Sequence, residues 1–450
     1  FDAVADQTVS ATTTDNDTAG FTVAQSGGST AVAETGTTDT FTVVLNAQPA
    51  SNVVISISSG DTGEATVSGS LTFTSVNWNS AQTVTVTGVD DVTVDGAQTS
   101  TVTVSIIDAI SDNDFDAVAD QTVSVSTADN DVAGFTVTQS GGATSVDESG
   151  TTDTFTVVLD AQPTSNVVLT VTSSDTGEAT VNSPLTFTPA NWDTPQTVTV
   201  TGVNDGSVVD GNQASTVTVS VNDGSSNDSF DPLADQTVSV TTTDNDVPGF
   251  TVAESGGSTS VNESGTTDTF TVVLNAQPTS DVLFSLTASD ATEASVTTSL
   301  TFTPANWNTA QTATVTGLNE STVDGDQTSV ITISIVDAVS NDSFDPVVDQ
   351  TVTVTTVDND TAGFTVVQSG GSTSVSEAGT TDTFTVVLNA QPISDVVLTV
   401  TSSDTGEATV NSPLTFTAGN WNSAQTVTVT GIDDNIIDGT ITSTITIAVD

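Results

Sequence analysis

Lysine, arginine and histidine are absent from this sequence, while aspartate and glutamate together number 57, for a formal charge of −57. No side-chain cation can pair with any of these acids. Phosphate recognition draws mainly on Lys and Arg, so nucleic acid and anionic membrane surfaces are excluded as partners, and the charge points to cations instead. Cysteine and methionine are absent as well, which leaves no disulfides, no thiolate metal sites and no methionine oxidation. The missing lysine also excludes Lys–Asn cross-links. Without His, Cys or Lys there is no ordinary base or nucleophile, and carboxylate pairs of the glycosidase kind need a unique cleft that a tandem array does not offer. The chain therefore reads as a non-enzyme. No apolar run is long enough to span a membrane, and no signal peptide opens the chain. It begins at Phe1, which suggests a processed chain or a window from a longer one, with any targeting segment outside it.

Hydrophobic residues make up 35% and charged residues 13%, a balance that favours folding over disorder. One triplet organises the chain. Asp15-Asn16-Asp17 returns as Asp129-Asn130-Asp131, Asp244-Asn245-Asp246 and Asp358-Asn359-Asp360, at spacings of 114, 115 and 114 residues. A period of that size is a domain, and the triplets punctuate its copies. The implied boundaries are 1–17 for the last strand of a preceding repeat or a donor strand, then repeats at 18–131, 132–246, 247–360 and 361–450, the last lacking its final strand.

Within the second repeat, apolar and polar residues alternate with period two. The segment GTTDTFTVVL begins at Gly150 and recurs at Gly36, Gly265 and Gly379; it reads as a half-buried strand of an antiparallel sheet. Ala161-Gln162-Pro163 reads as a turn. Ala179–Val181 and Leu185–Phe187, parted by Pro184, read as one kinked strand. Seven short alternating strands without a helical pattern predict an all-β fold: a tandem array of immunoglobulin-like β-sandwiches of about 114 residues.

If the seven strands alternate in direction, the loops after the first, third and fifth strands share one pole with the exit of the seventh. Glu148, Asp153, Asp175, Glu178, Asp205, Asp210, Asp244 and Asp246 then converge. Such a gathering of carboxylates repels itself at neutral pH unless a metal intervenes. Ca2+ takes six to eight oxygens in irregular geometry and suits several loops each giving one or two; Mg2+ ranks second because it demands an octahedron and keeps its waters.

Val146-Asp147-Glu148-x-Gly150 resembles the Val-x-Glu-x-x-Gly opening of Calx-beta domains, with the glycine one position early. Asp90-Asp91 with Asp95, and the terminal Asp-Asn-Asp, resemble that family's acidic loop before the sixth strand and its acidic exit. The resemblance implies calcium ligands at these places. It assigns Glu34, Asp90, Asp91, Asp95, Asp129 and Asp131 in the first repeat. The second offers Glu148, Asp205, Asp210, Asp244 and Asp246, with Asn204 replacing one acid, and the third Glu263, Glu320, Asp324, Asp358 and Asp360, with Asn319 at the same place. The fourth keeps Glu377, Asp433, Asp434 and Asp438. The chain also resembles the tandem immunoglobulin-like and cadherin-like arrays of giant bacterial surface proteins.

Blander explanations compete with some of these assignments. Asp, Asn and Gly favour solvated turns for backbone reasons alone. Trp78, Trp192, Trp307 and Trp421 occur once per repeat and read as core or strand-end plugs before glycan platforms. Asp112, Asp114 and Asp116 read as a solvated loop before a second ion site. The resulting expectation is a secreted segment of a calcium-stiffened filament, sheath or adhesin stalk on a microbial surface, with neighbouring copies of itself head-to-tail as partners. A glycan- or surface-binding module is the alternative. Rods of about 40 Å per repeat follow from strands of about eight residues plus loops.

Overall fold

The computed structural model describes residues 4–450; the part of the expected opening strand at residues 1–3 lies outside them. Contacts divide the chain into two compact units, Phe1–Asp205 with Asn212–Thr243, and Gly206–Gly211 with Asp244–Asp450. The first holds two sandwiches, and the second holds two more.

In the first sandwich the strands are β1 (Phe21–Gln25), β2 (Thr30–Ala33), β3 (Thr38–Leu45), β4 (Val53–Ser59), β5 (Ala65–Val67), β6 (Leu71–Phe73), β7 (Gln82–Gly88), β8 (Thr93–Val94), β9 (Gln98–Ile106) and β10 (Gln121–Ala128). One sheet has the order β1-β3-β7-β5 and the facing sheet β2-β10-β9-β4-β6. The same four-on-five pattern recurs in the second and third sandwiches. The chain is an array of immunoglobulin-like β-sandwiches.

Alternation decides the core. Phe41, Val43 and Leu45 of β3 point inward, against Val84 and Val86 of β7 and, from the facing sheet, Val53, Ile55, Val102, Val104, Val123 and Val125. Every second residue of each strand leaves water and the intervening residues, many of them threonines, stay exposed or half-buried, as period-two patterning requires. Phe115 reaches this core from the loop before β10 and is buried there.

Two strands behave differently from the seven-strand expectation. The first is broken: β1 pairs antiparallel with β3, Gly27 and Gly28 take positive φ in a 3-10 turn, and β2 then joins the other sheet in parallel with β10. The fourth does stay one kinked passage, but it changes sheets, since β5 pairs with β7 and β6 with β4. Neither break reverses chain direction, so the alternation that places the acidic loops at one pole survives.

The expected opening strand does not form among the described residues. Residues 4–18 are exposed and carry no regular structure. In the fourth sandwich the facing sheet has three strands, Leu414–Phe416, Val396–Ser402 and Ile445–Val449, and residues 373–376, the counterpart of β2, are not a strand.

Candidate metal pole and its joint

The acidic pole is built from four pieces of chain. The end of β2 delivers Glu34, whose N–H donates to the Ala128 carbonyl at the end of β10 (3.1 Å). The turn before β5 delivers Glu64. The loop between β7 and β9 delivers Asp90, Asp91 and Asp95, and the exit of β10 delivers Asp129 and Asp131. Strand pairing holds these pieces close. Gly88 ends β7 so near to β2 that a Cβ would lie 2.0 Å from the Ala33 carbonyl oxygen; only glycine fits, which accounts for the Thr-Gly ending of this strand in every copy.

Backbone N–H groups knit the loops together. Asn130 N–H donates to Glu34 Oε2 (3.1 Å), and Gly96 N–H and Asp95 N–H donate to Asp129 Oδ2 (2.7 and 3.1 Å). Asp131 N–H donates to Asp129 Oδ1 (2.6 Å), and Thr93 N–H to Asp91 Oδ1 (2.7 Å). Asp90 turns outward, where Asn130 Nδ2 donates to its Oδ1 (2.8 Å).

These bonds leave buried oxygens over. Glu34 is 1% exposed and Glu64 8%, and Glu64 Oε2, Asp95 Oδ1 and Asp131 Oδ2 are buried without a hydrogen-bond partner. Burial comes first in pushing the carboxyls of Glu34, Glu64, Asp95 and Asp131 above the usual range, and neighbouring acids add to it: Asp129 and Asp91 beside Glu34, and Asp95 and Glu34 beside Glu64. Two triplets have carboxylate oxygens within 4.8 Å of one another, Glu34 with Asp129 and Asp131, and Glu34 with Glu64 and Asp91. That limit is about twice a Ca–O bond of about 2.4 Å, so each triplet can ring one ion.

The third sandwich repeats the arrangement. Glu263, Asp358 and Asp360 form the matching triplet, Asn359 N–H donates to Glu263 Oε2 (3.2 Å) and Gly325 N–H to Asp358 Oδ2 (2.8 Å). Glu263 Oε1, Glu293 Oε2, Asp324 Oδ1 and Asp360 Oδ2 are buried and unpartnered. Burial, Asp324 and Glu320 push Glu293 up in the same way as Glu64. In the second sandwich Glu148, buried, and Asp205 belong to the first unit, while Asp210, Asp244 and Asp246 belong to the second. Gly211 N–H donates to Asp244 Oδ2 (2.8 Å) and Asp246 N–H to Asp244 Oδ1 (2.7 Å), the same knot as in the first. In the fourth, Glu377, Asp433, Asp434 and Asp438 are present without an exit triplet, and their Glu64 counterpart, Glu407, is pushed up by burial and then Asp438 and Asp434.

Sequence reasoning left Glu64, Glu178, Glu293 and Glu407 out of the ligand set, although Glu178 was placed at the pole. Their visible signal is a Glu just before the Ala that begins the fourth strand in every copy. Asp153 and Asp175, also placed at the pole, have other work. The Asp153 carboxylate accepts from Ser145 N–H (2.9 Å), Thr154 N–H (2.7 Å) and Ser140 Oγ (3.0 Å), which pins the crossover of the first strand and holds its carboxyl below the usual range. Asp175 accepts from Gly177 N–H (2.9 Å) and shapes its own turn.

The loop that carries Asp91 and Asp95 also carries β8, which the sequence did not disclose. Thr93–Val94 pairs in parallel with Gln162–Pro163 of the second sandwich, Gln162 N–H donates to the Val92 carbonyl (2.8 Å), and Val94, 8% exposed, is packed into that sandwich's core. The segment read as a plain turn is thus half of a joint. Within the second unit Val208–Val209 pairs with Gln277–Pro278 and Thr322–Val323 with Gln391–Pro392 in the same way. Trp78, Trp192, Trp307 and Trp421 are partly buried and packed against their own cores.

The chain matches no family model and no curated relative. Among solved structures it is similar to the S-layer protein SbsC (18% identity, 96% of this chain and 53% of that one, TM-score 0.19). It is also similar to CBD12 from CALX1.2 (12% identity, 44% and 79%, TM-score 0.19) and to the human desmocollin-1 ectodomain (9% identity, 93% and 76%, TM-score 0.25). Likeness at this level adds nothing to what the sheet topology already shows.

Proposed function

We propose that this chain is a structural segment of an extracellular filament, sheath or stalk, and that calcium at the acidic poles stiffens its joints. One observation carries the reading: buried carboxylate oxygens without partners, in a chain that has no cation of its own. An ionised carboxylate buried alone costs several kcal/mol, and a divalent ion coordinated by two or three such groups removes that cost. Glu34 is shared by both triplets, so two adjacent ions fit the first pole, with backbone carbonyls and water completing each shell. Mechanical coupling comes from β8, because the loop that would wrap the ion is the loop that pairs with the next sandwich. Ordering its acids orders its bridge.

Chelation tests this. Calcium added to chelated protein is expected to raise the melting temperature by several degrees, since ligand at a hundred times its Kd stabilises by about 2.7 kcal/mol, and to lengthen the particle in small-angle scattering. Asp129→Ala with Asp131→Ala is expected to remove part of the response while the sandwich stays folded. A scattering profile and melting curve that ignore both calcium and chelator would sink the proposal. For the glycan-binding alternative, the packed tryptophans offer no support.

A further inference from the structure

We propose that each bridging strand folds as part of the sandwich it enters and not of the one that carries it, so that a sandwich borrows a core side chain from the repeat before it. Two bridges carry the argument. Val94, 8% exposed, belongs to the core that holds Phe155, Leu169, Phe187 and Phe230. Val209, 4% exposed, belongs to the core that holds Phe270, Phe284, Phe302 and Phe344. Among the described residues, none of 89–97 belongs to or packs against the core of the first sandwich, and none of 203–212 does so in the second. Each loop therefore gives its apolar side chain to the next repeat and none to its own. The division of the chain follows the same rule: Gly206–Gly211 fall in the second compact unit, although Asp205 before them and Asn212 after them fall in the first.

A ladder of two residues does not hold itself in water, where even a longer two-stranded pairing is marginal; burial of the valine fixes it in place. The receiving segment is built for this. Ala161 and Pro163 are buried beside the bridge, and the Gln162 side chain ties the bridge to the receiver's own turn, accepting from Thr93 Oγ1 (3.3 Å) and donating through Nε2 to the Pro189 carbonyl (2.7 Å). Gln277 repeats the arrangement in the second unit, with its N–H donating to the Ser207 carbonyl (2.6 Å) and its Nε2 to the Pro304 carbonyl (3.0 Å). The first bridge is tied back to its own sandwich at its C-terminal end, where Asp95 N–H and Gly96 N–H donate to Asp129 Oδ2. Its polar end stays with the donor and its apolar side chain with the receiver.

The unit that folds cooperatively is then the repeat together with the bridge of the repeat before it, and the Asp-Asn-Asp triplets mark the repeat in sequence without marking the edge of its core. Neighbour coupling of this kind makes the stability of an array more than the sum of its repeats. Because Val94 lies in one core only, truncating it should weaken that core and leave the sandwich that carries it close to its original stability. The inference rests on core packing and not on the ion reading.

Hydrogen exchange read by mass spectrometry on the 450-residue protein tests it, because peptides from each sandwich report its opening separately. With Val94→Ala, exchange of Thr152–Leu159 and Gln196–Gly202 in the second sandwich is expected to quicken at least about tenfold, while Thr38–Leu45 and Gln82–Gly88 in the first change by less than about threefold. Val209→Ala should quicken Thr267–Leu274 and Gln311–Gly317 in the third sandwich and spare the second. Val86→Ala, in the first sandwich's own core, should give the opposite pattern to Val94→Ala and shows that the first sandwich can report a loss. A Val94→Ala protein whose second sandwich exchanges as before, or whose first sandwich is quickened as much as the second, would overturn the inference. The measurements are made in chelator, so failure of the ion proposal leaves these outcomes intact.

Discussion

At the pole formed by the loop before β10, Asp112 is buried yet fully engaged: its carboxylate accepts from Ser51 N–H (2.6 Å), Ser51 Oγ (3.3 Å) and Asp114 N–H (3.2 Å). These bonds, the one from Ser51 N–H foremost, hold its carboxyl below the usual range. At the opposite pole, Glu64 is buried to a similar degree with an oxygen left over, and its carboxyl is pushed up. In the second and third sandwiches Asn227 and Asn341 take the place of Asp112, the first donating to Thr164 Oγ1 (2.6 Å) and the second to Thr279 Oγ1 (2.7 Å). A neutral amide thus serves where hydrogen bonds satisfy the site. Every sandwich keeps a Glu at the positions of Glu34 and Glu64. Burial alone does not separate a structural acid from a candidate ligand; unused acceptor capacity does.

The sharpest break in this comparison is Gly88→Ala. Its Cβ would collide with the Ala33 carbonyl, displacing the strand end that holds Glu34. A loss of about 2–3 kcal/mol is expected, as for other overpacked sites, together with a weaker calcium response of the first sandwich in calorimetry. Asp39→Ala comes next. Asp39, the counterpart of Asp153, accepts from Ser26 Oγ (2.6 Å), Ala31 N–H (3.0 Å) and Thr40 N–H (2.7 Å), and its removal should cost about 2 kcal/mol. Because Asp39 is engaged like Asp112, that loss should be equal with and without calcium; a calcium-dependent loss would blur the distinction between the two kinds of acid.

The pH response sharpens it further. Glu34, Glu64, Glu263 and Glu293 have raised carboxyl pKa values in the folded chain, so the folded state binds more protons than the unfolded one across that window. Their contribution favours folding below the ordinary carboxylate pKa and is lost as pH rises through the raised values. Chelated protein should therefore lose a few degrees in melting temperature over this range, while saturating calcium should reverse the trend, because protons compete for the same oxygens. Asp39 and Asp112, with lowered values, contribute stability that is present above the ordinary pKa and disappears on acidification. The smallest effect is expected for Asp112→Asn, within about 0.5 kcal/mol and with an unchanged calcium response, because Asn already works there in two of the copies.

Much of this architecture was legible in the chain. Alternating Phe-x-Val-x-Leu fixes which face of each strand is buried, and the even alternation of strand direction brings Glu34, the Asp91 loop and Asp129 to one pole. That logic needs only period two and chain reversal. What period two cannot show is which sheet a strand joins: Gly27-Gly28 lets the first strand cross over, and the fourth crosses at Ser68–Ser70, through pairing with partners far along the chain. The two-residue strand Thr93–Val94 was illegible for the same reason, since its ladder partner and its core lie in the next sandwich. Glu64 and Asp153 look alike in sequence as single acids near strand ends. Only the tertiary structure distinguished them, by surrounding Asp153 with donors and leaving Glu64 short of one. The sequence by itself determined that the acids have no cation of their own and that they recur once per domain. The folded arrangement decided which carboxylate oxygens are buried and unsatisfied, because desolvation and hydrogen-bond supply depend on neighbours that sequence distance does not reveal.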